Sequence, residues 1–388
     1  MPRYRTAVVG IRWRAGVVTG LGRSWQGARE LTVALRRRRS DDPPDVPALA
    51  YPALVGEPAV GDRVLLNTAA LALGLGTGGY ALVVAMPDRL PPDPPDGPGH
   101  LVKARYTPLQ AVVAGVDEQS SPHHRILADA DDLAGLPVVT ADLHSSLPAV
   151  LAGVRAHAPQ AAVGYVMTDG GALPAWFSRT LDALRGSLAG VVTVGQAFGG
   201  DLEAASLHSG LLAARHVLGA DVVVVSQGPG NLGTGTRWGF SGVATGEAVN
   251  ATAALAGRPV GALRISGADP RARHRGVSHH SLTAYGRVAL APADLVVPGG
   301  LAPALAGQVR AALATLPRRH RIVTVDPAGL DDALRASPAS LSTMGRDLAA
   351  DPAYFLAAAA AGRHAASLIP PTLPPIKEKS SPECRNPG

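Results

Sequence analysis

The sequence predicts an α/β protein: a Rossmann-like parallel sheet flanked by helices, preceded by a small all-β, barrel-like domain. Strand-like apolar runs alternate with helical stripes between residues 137 and 326, and short β-rich runs recur between residues 1 and 86. A spacer with six prolines, residues 87–99, separates these two regions. We therefore expect an all-β domain at 1–86, a linker at 87–99, an α/β domain at 100–366 and a disordered tail at 367–388.

The first domain is predicted from short runs bounded by glycine, proline and charged turns. We expect its strands at 6–18, 30–35, 49–55, 63–67 and 80–86. Residues 64–87 carry no charge and are long enough to span a bilayer. Four glycines lie at the centre of this stretch, at Gly74, Gly76, Gly78 and Gly79, where a turn would be. Two strands joined by that turn are the favoured interpretation, and no membrane partner is expected.

The second domain is predicted from a repeated strand, turn and helix pattern. We expect strands at 137–142, 161–167, 191–194, 221–226, 260–266 and 322–326, with amphipathic helices between them. Right-handed crossovers place every strand-to-helix turn of a parallel sheet along one edge. His144, Asp169, Asp201, the glycine-rich loop after residue 226 and segment 267–281 should therefore line one crevice.

Composition limits the classes of partner and compartment. A net charge of +6 over 388 residues is a weak indication of nucleic-acid binding. The arginines at 36–39 precede acids and prolines, which favours a solvated hairpin loop over a phosphate-binding patch. The single cysteine, Cys384, excludes an intrachain disulfide and fits a reducing cytoplasm. A small anionic ligand is the expected partner, nucleic acid is not favoured, and homo-oligomer formation is left open.

The glycine-rich loop spans residues 226–242, and its first part matches the spacing G-x-G-x-x-G immediately after a strand. No helix follows directly, and no acidic residue ends a strand about 20 residues further on, as a dinucleotide site would require. Two interpretations stay open: backbone amides that hold an anion, and a wide structural turn. The ligand-binding candidates in this loop are Gly228, Gly230, Asn231, Gly233, Thr234, Gly235 and Arg237.

Segment 271–281 holds three arginines and three histidines in eleven residues. Arginine binds phosphate or carboxylate through two nitrogens, and histidine transfers protons near neutral pH. Arg273, Arg275 and Ser281 are therefore candidates for ligand binding. His279 and His280, together with Asp169, are the candidates for catalysis. The alternative is a solvated basic loop.

Metal binding is a further hypothesis for the same edge of the sheet. Asp142, His144, Asp169 and Asp201 lie at the turns of this edge, and together with His274 and His279 or His280 they could supply a mixed nitrogen and oxygen site. We assign His144 and His274 as the candidate metal ligands. The alternative is that these acids cap helices. The cofactor is unknown, and the pattern allows a divalent metal.

Five blocks of the sequence resemble a bacterial domain-of-unknown-function family, number 3866. They are GYVMTDGGALP at 164–174, VGQAFGGDLEA at 194–204, SQGPGNLGTGTRWGFSG at 226–242, RHRGVSHHSLTAYG at 273–286 and STMGRD at 342–347. The resemblance covers nearly the whole chain except the tail. It implies no activity and no residue roles.

Two functions are compatible with these observations. The first is an enzyme, a hydrolase or transferase, that binds a small anionic or phosphorylated substrate at the carboxyl-terminal edge of the parallel sheet. The second is a non-catalytic ligand-sensing or assembly protein. A large distance between the glycine-rich loop and segment 271–281 would favour the second function.

Overall fold

The computed structural model describes residues 10–37 and 39–369. The predicted tail from residue 370 onward, Cys384, Arg38 and the first residues of the predicted strand 6–18 lie outside the described residues. Within them, no helix is long and apolar enough to cross a membrane.

The amino-terminal part is a closed five-stranded barrel with the strand order β1-β2-β3-β5-β4. The pairing of β3 with β5 is parallel, and the other pairings are antiparallel. Alternate side chains, such as those of Val18, Val33 and Leu66, fill the interior. The elements are β1 (Trp13–Trp25), β2 (Ala28–Arg36), β3 (Asp45–Ala50), α1 (Pro52–Val55), β4 (Arg63–Asn67), α2 (Ala69–Ala72) and β5 (Ala81–Ala85).

Two barrel predictions differ from the structure. The first strand continues to Trp25, because its second half pairs with β2 around the turn at Gly27. The predicted strand 49–55 ends at Ala50, and Pro52 begins the helical turn α1. Proline fits there because its fixed φ suits the first position of a helix.

The uncharged stretch 64–87 forms β4, α2 and β5, with β4 antiparallel to β5.

The second part is an eight-stranded parallel sheet with helices on both faces, in the order β11-β10-β9-β12-β8-β13-β16-β17. Its elements are β6 (Leu101–Lys103), β7 (Ala111–Val113), α3 (His124–Leu127), β8 (Pro137–Thr140), α4 (Leu147–His157), β9 (Val163–Thr168), α5 (Arg179–Leu184), β10 (Gly190–Thr193), β11 (Leu202–Glu203), α6 (Leu207–His216), β12 (Val222–Gln227), α7 (Ala244–Ala254), β13 (Arg258–Ala262), β14 (Ile265–Ser266), β15 (Gly276–Val277), α8 (His279–Thr283), β16 (Asp294–Pro298), α9 (Pro303–Leu313), β17 (Arg321–Val325), α10 (Leu330–Arg335), β18 (Ser342–Thr343), β19 (Arg346–Asp347) and α11 (Pro352–Ser367).

The four valines of β12 show how the sheet divides the core. Val222 and Val224 pack with α4 and α11 on one face, whereas Val223 and Val225 pack with α6 and α7 on the other. All four side chains are buried, which explains why this strand is continuously apolar in the sequence. The predicted α/β fold with a small barrel-like domain is therefore confirmed.

The chain order of the strands places a crevice near the centre of the sheet. From β8 the chain builds outward through β9, β10 and β11, returns as β12 beside β8, and crosses to β13 on the other side of β8. At such a switch point the loops after neighbouring strands diverge and leave room for a ligand. The loops after β8 and β12 are the ones that border this position.

The predicted strand 260–266 is divided in the structure. Strand β13 ends at Ala262, and β14 leaves the sheet to pair with β15 in a small antiparallel ribbon. Segment 267–275 is the connection between these two short strands. His274 and the three arginines of segment 271–281 are therefore presented from a loop that is closed at its base by the ribbon, whereas His279 and His280 follow the ribbon in α8.

Candidate functional site

The first residues of the glycine-rich loop pack against the turn that follows β9. The amide of Gly228 donates to the carbonyl of Thr168 at 3.2 Å, and the amide of Ala172 donates to the carbonyl of Pro229 at 2.7 Å. A Cβ atom on Gly228 would lie only 2.4 Å from the carbonyl oxygen of Ala172. The absence of a side chain at Gly228 is thus explained by packing, and its amide is already engaged.

The tip of the loop, residues 232–241, folds back on itself. The amide of Thr234 donates to the carbonyl of Gly239 at 2.7 Å, and the amide of Ser241 donates to the carbonyl of Leu232 at 3.1 Å. Gly235 has a φ of +80°, in the left-handed region that favours glycine. Around Gly233 a Cβ atom would meet no neighbour within 4 Å, so this part of the tip is open.

Asn231 fixes the base of the tip. Its Oδ1 accepts hydrogen bonds from Gln227 Nε2 at 2.8 Å, Ser241 Oγ at 3.1 Å and the amide of Gly242 at 3.2 Å. Gln227 Nε2 also donates to the carbonyl of Asp142, the residue that follows β8 by two positions. Asn231, a predicted ligand-binding residue, therefore joins the loop to the neighbouring strand end.

The tip contacts the segment that carries the arginines and histidines. The ring of Phe240 stacks on His280 with centroids 3.8 Å apart and planes only 2° from parallel. On the other side of the tip, Nη2 of Arg273 lies 4.0 Å from the position of a Cβ on Gly235. The two segments that the sequence singled out independently are brought together in the structure.

The predicted ligand-binding side chains differ in their freedom to bind. Arg237 and Arg273 are exposed, and neither forms an ion pair with any residue that the structure describes. Arg275 is also exposed but donates through Nε to the carbonyl of Asp269 at 3.0 Å. Ser281 is buried, and its Oγ accepts from the amide of Arg264 at 3.0 Å, which is a structural role.

Three histidines form the most compact group of this site. One ring nitrogen from each of His274, His279 and His280 lies within 4.8 Å of the others. Burial, followed by the nearby Arg264, lowers the pKa of His274 to about 3. Burial, followed by His280 and Arg273, lowers the pKa of His279 to about 4. Both rings are therefore neutral near pH 7.

A buried charge network lies behind the histidines. Arg264 is 3% exposed, and its Nη2 lies 3.3 Å from Asp269 Oδ2, while its Nη1 lies 3.9 Å from Asp142 Oδ2. Asp269, which is fully buried, also accepts from Arg271 at 2.9 Å and from Arg346 at 3.1 Å. Burial raises the pKa of Asp269, but the hydrogen bonds and charge of Arg271 and the charge of Arg346 outweigh this effect and hold the pKa below its usual range.

Sequence reasoning did not assign roles to Phe240, Arg264 or Asp269. The available signal was Arg264 itself, a charged residue within the apolar run 260–266. A buried arginine requires carboxylate partners, and two aspartates, Asp142 and Asp269, supply them. Arg346 lies on the hairpin of β18 and β19, which places its guanidinium beside Asp269 and Asp351.

His144 lies apart from the three-histidine group. Its Nδ1 is 2.9 Å from the hydroxyl of Tyr165, and its Nε2 is 2.7 Å from Oγ of Ser178. Both ring nitrogens are thus hydrogen-bonded within the protein, so the structure does not pair His144 with His274 as a metal ligand. Burial lowers the pKa of His144 to about 4.

His144 should make stability depend on pH between about 6.5 and 4. Because its folded-state pKa is depressed from 6.5 to about 4, the unfolded chain binds the proton first. This contribution to stability is full above pH 6.5 and is lost as the pH falls toward 4. Protonation of His144 in the unfolded chain should therefore lower the free energy of unfolding by about 2 kcal/mol between pH 7 and pH 5.

The measurement is urea-induced unfolding of the wild type and His144→Gln at both pH values. The difference in ΔG between the two proteins should shrink by about 2 kcal/mol at pH 5, since glutamine does not titrate. An unchanged difference would show that His144 is not held neutral by the fold.

Asp169 and Asp201 occupy other parts of the sheet edge. Asp169 Oδ2 accepts from the amide of Gln196 at 2.8 Å and lines a cavity of about 590 Å³ together with Arg105 and Gln110. Asp201 Oδ2 accepts from the amide of Val191 at 2.8 Å. Neither carboxylate belongs to the three-histidine group, so the single predicted crevice is divided into separate sites.

A cleft of about 430 Å³ lies between the barrel and the sheet edge. The start of the glycine-rich loop forms one wall, and barrel residues Trp25 and Tyr80 form another. Ser145, Arg179 and Thr343 also face it. The glycine-rich loop therefore contributes its base to this cleft and its tip to the histidine group.

Comparison with known proteins gives a family but no activity. Neither the curated proteins nor the solved structures include a match to this chain. Residues 47–362 match DUF3866, a family described as a protein of unknown function. This range includes the glycine-rich loop and the histidines at 274, 279 and 280. Because the match covers most of the chain, the chain belongs to the DUF3866 family.

Proposed function

We propose that this protein is an enzyme, a hydrolase or transferase, that binds a small anionic or phosphorylated substrate where the glycine-rich loop meets segment 271–281. One observation carries the proposal. The exposed guanidinium of Arg273 lies beside Gly235 at the loop tip and has no carboxylate partner among the described residues. An arginine without a protein partner is available for an external anion.

The groups around Arg273 supply the rest of a reaction site. Arg237 adds a second exposed guanidinium from the loop tip, and the open backbone at Gly233 allows close approach of a ligand. The imidazoles of His279 and His280 are the chemically reactive groups of the site. The contact of Phe240 with His280 joins the two segments, and this proximity favours an enzyme over a sensing or assembly protein. A reducing compartment such as the cytoplasm fits a chain with one cysteine.

Inorganic phosphate should bind the metal-free protein, and Arg273→Ala should weaken that binding. A charge-assisted hydrogen bond contributes enough that its loss should raise Kd roughly tenfold to a hundredfold. The measurement is isothermal titration calorimetry of phosphate into protein treated with a chelator.

Arg318→Ala provides the matched control. Arg318 is also exposed, but it lies between α9 and β17, on a helix-to-strand connection at the opposite edge of the sheet. Its replacement should leave the Kd unchanged. Equal affinities in the two variants, or no binding of phosphate at millimolar concentrations, would contradict the proposal.

A further inference from the structure

The three histidines lie on two different segments of the fold. His279 and His280 are the first two residues of α8, and Ser278 caps this helix by accepting a hydrogen bond from the amide of His280 at 3.2 Å. His274 is at the end of a short 3-10 turn, 272–274, on the preceding connection. The short β14–β15 ribbon closes this connection and brings its two ends together. The cluster is therefore built on a closed loop and a helix start rather than on a free surface segment.

Each ring is held in a defined orientation. His280 is stacked on Phe240, and the His274 ring lies 4.9 Å from those of both His279 and His280. Nδ1 of His274 is 2.7 Å from Oγ of Ser278. A hydrogen bond at Nδ1 fixes the tautomer and leaves Nε2 to act as a ligand, as in many histidine metal sites.

In the described residues, one buried ring nitrogen of each of the other two histidines lacks a hydrogen-bond partner. Within the described part of the chain, Nε2 of His279 and Nδ1 of His280 form no hydrogen bond. Leaving a buried polar atom unsatisfied costs about 1–3 kcal/mol, so such atoms are rare without a functional reason. Two of them in adjacent residues, beside a third histidine, indicate an external group that satisfies them.

An acidic group completes the surroundings. Asp142 is 4% exposed, and its Oδ2 lies 3.6 Å from Nδ1 of His280 and forms no hydrogen bond within the described residues. Arg264, 3.9 Å away, is its nearest cationic partner. This carboxylate can supply a negative charge near a cation that the rings hold.

From this geometry we infer that His274, His279 and His280 bind one divalent transition-metal ion of the zinc type. Three imidazoles favour Zn²⁺, Co²⁺ or Ni²⁺ over Mg²⁺ and Ca²⁺, which prefer oxygen ligands. Nitrogens at about 2.1 Å from a tetrahedral ion lie about 3.4 Å apart, so each ring has to move inward by less than about 1 Å. Three protein ligands leave a position open for water or for an anion.

The inference deepens the proposed function and rests on it for the identity of the substrate. An anion held by Arg273 beside His279 could reach the open position of the ion, and the metal would then polarise it or activate water. The histidines would act through the metal rather than as the proton-transferring groups predicted from the sequence.

Metal binding can be tested without substrate. Untagged full-length protein, stripped with a chelator, should bind about one equivalent of Co²⁺ and show the visible d–d absorption of a tetrahedral site. His274→Ala, His279→Ala and His280→Ala should each weaken Co²⁺ binding at least tenfold. His208→Ala, an exposed histidine on α6, should bind Co²⁺ like the wild type.

X-ray absorption of the wild type with Zn²⁺ bound gives a result that does not depend on the folding of the variants. Three imidazole nitrogens in the first coordination shell would support the site. Binding of less than one tenth of an equivalent, or a shell without imidazole, would overturn it. Phosphate binding to metal-free protein decides the proposed function separately, so the failure of one proposal leaves the other to stand.

Discussion

Replacing Asp269 by asparagine should lower the ΔG of unfolding by about 3–5 kcal/mol, the usual result of removing one partner from a buried ion pair. The Asp269 carboxylate is fully buried and is the common acceptor for Arg264, Arg271 and Arg346. Without it, the one carboxylate left near Arg264 among the described residues is that of Asp142 at 3.9 Å, outside hydrogen-bonding distance. An uncompensated guanidinium would then be left in the core.

Urea-induced unfolding followed by circular dichroism measures this change. Asp331→Asn is the control, because Asp331 forms an i, i+4 pair with Arg335 whose two side chains are more than 60% exposed. Its loss should cost less than about 0.5 kcal/mol. If the two variants lose the same small amount of stability, the Asp269 network does not stabilise the fold.

Replacing Gly153 by alanine should destabilise the protein by about 2–3 kcal/mol, although alanine normally favours a helix by about 1 kcal/mol. Gly153 lies in α4 where this helix crosses α11, and a Cβ atom there would be 1.8 Å from the carbonyl oxygen of Ala359. The reciprocal contact is as tight, since a Cβ on Gly362 would lie 2.0 Å from the carbonyl oxygen of Val150. The obstacle is backbone in both cases, so no rotamer change can relieve it.

Gly307→Ala is the matched control for this prediction. Gly307 is inside α9, and a Cβ atom there would meet nothing within 4 Å. Alanine should therefore stabilise the protein by about 0.5–1 kcal/mol, through its higher helix propensity and the lower entropy of the unfolded chain. Thermal and urea unfolding of both variants should give shifts of opposite sign. A stabilising Gly153→Ala would contradict the close crossing of α4 and α11.

The glycine-rich loop shows how far sequence patterns can reach. A run of valines followed by a glycine-rich stretch predicted a strand and a loop at the sheet edge, and β12 ends one residue beyond the expected position. The pattern could not separate the roles of its glycines. Gly228 is required by the carbonyl of Ala172, whereas Gly233 has open space around it. That difference depends on the turn that contains Ala172, 56 residues before Gly228, which no local pattern encodes.

The histidine cluster shows the opposite limit. Three histidines within seven residues are visible in the sequence, yet adjacent side chains often point in different directions. The three imidazole rings are brought together by tertiary features: β14 leaves the sheet, Ser278 caps α8, and Phe240 stacks on His280 from another loop. His144, grouped with His274 by sequence position alone, instead uses both ring nitrogens inside the core.

The sequence by itself determined the classes of element, the parallel sheet, the small barrel and the segments at the edge of the sheet that carries the candidate site. These features follow from short-range periodicity and turn chemistry, because burial of one face of a strand or helix imposes its pattern on nearby residues. Only the tertiary structure decided which edge side chains meet, which glycines are needed for packing and which charges are buried. Those outcomes depend on contacts between residues far apart in the chain, where the free energy of a hydrogen bond or ion pair is set by burial and partner geometry.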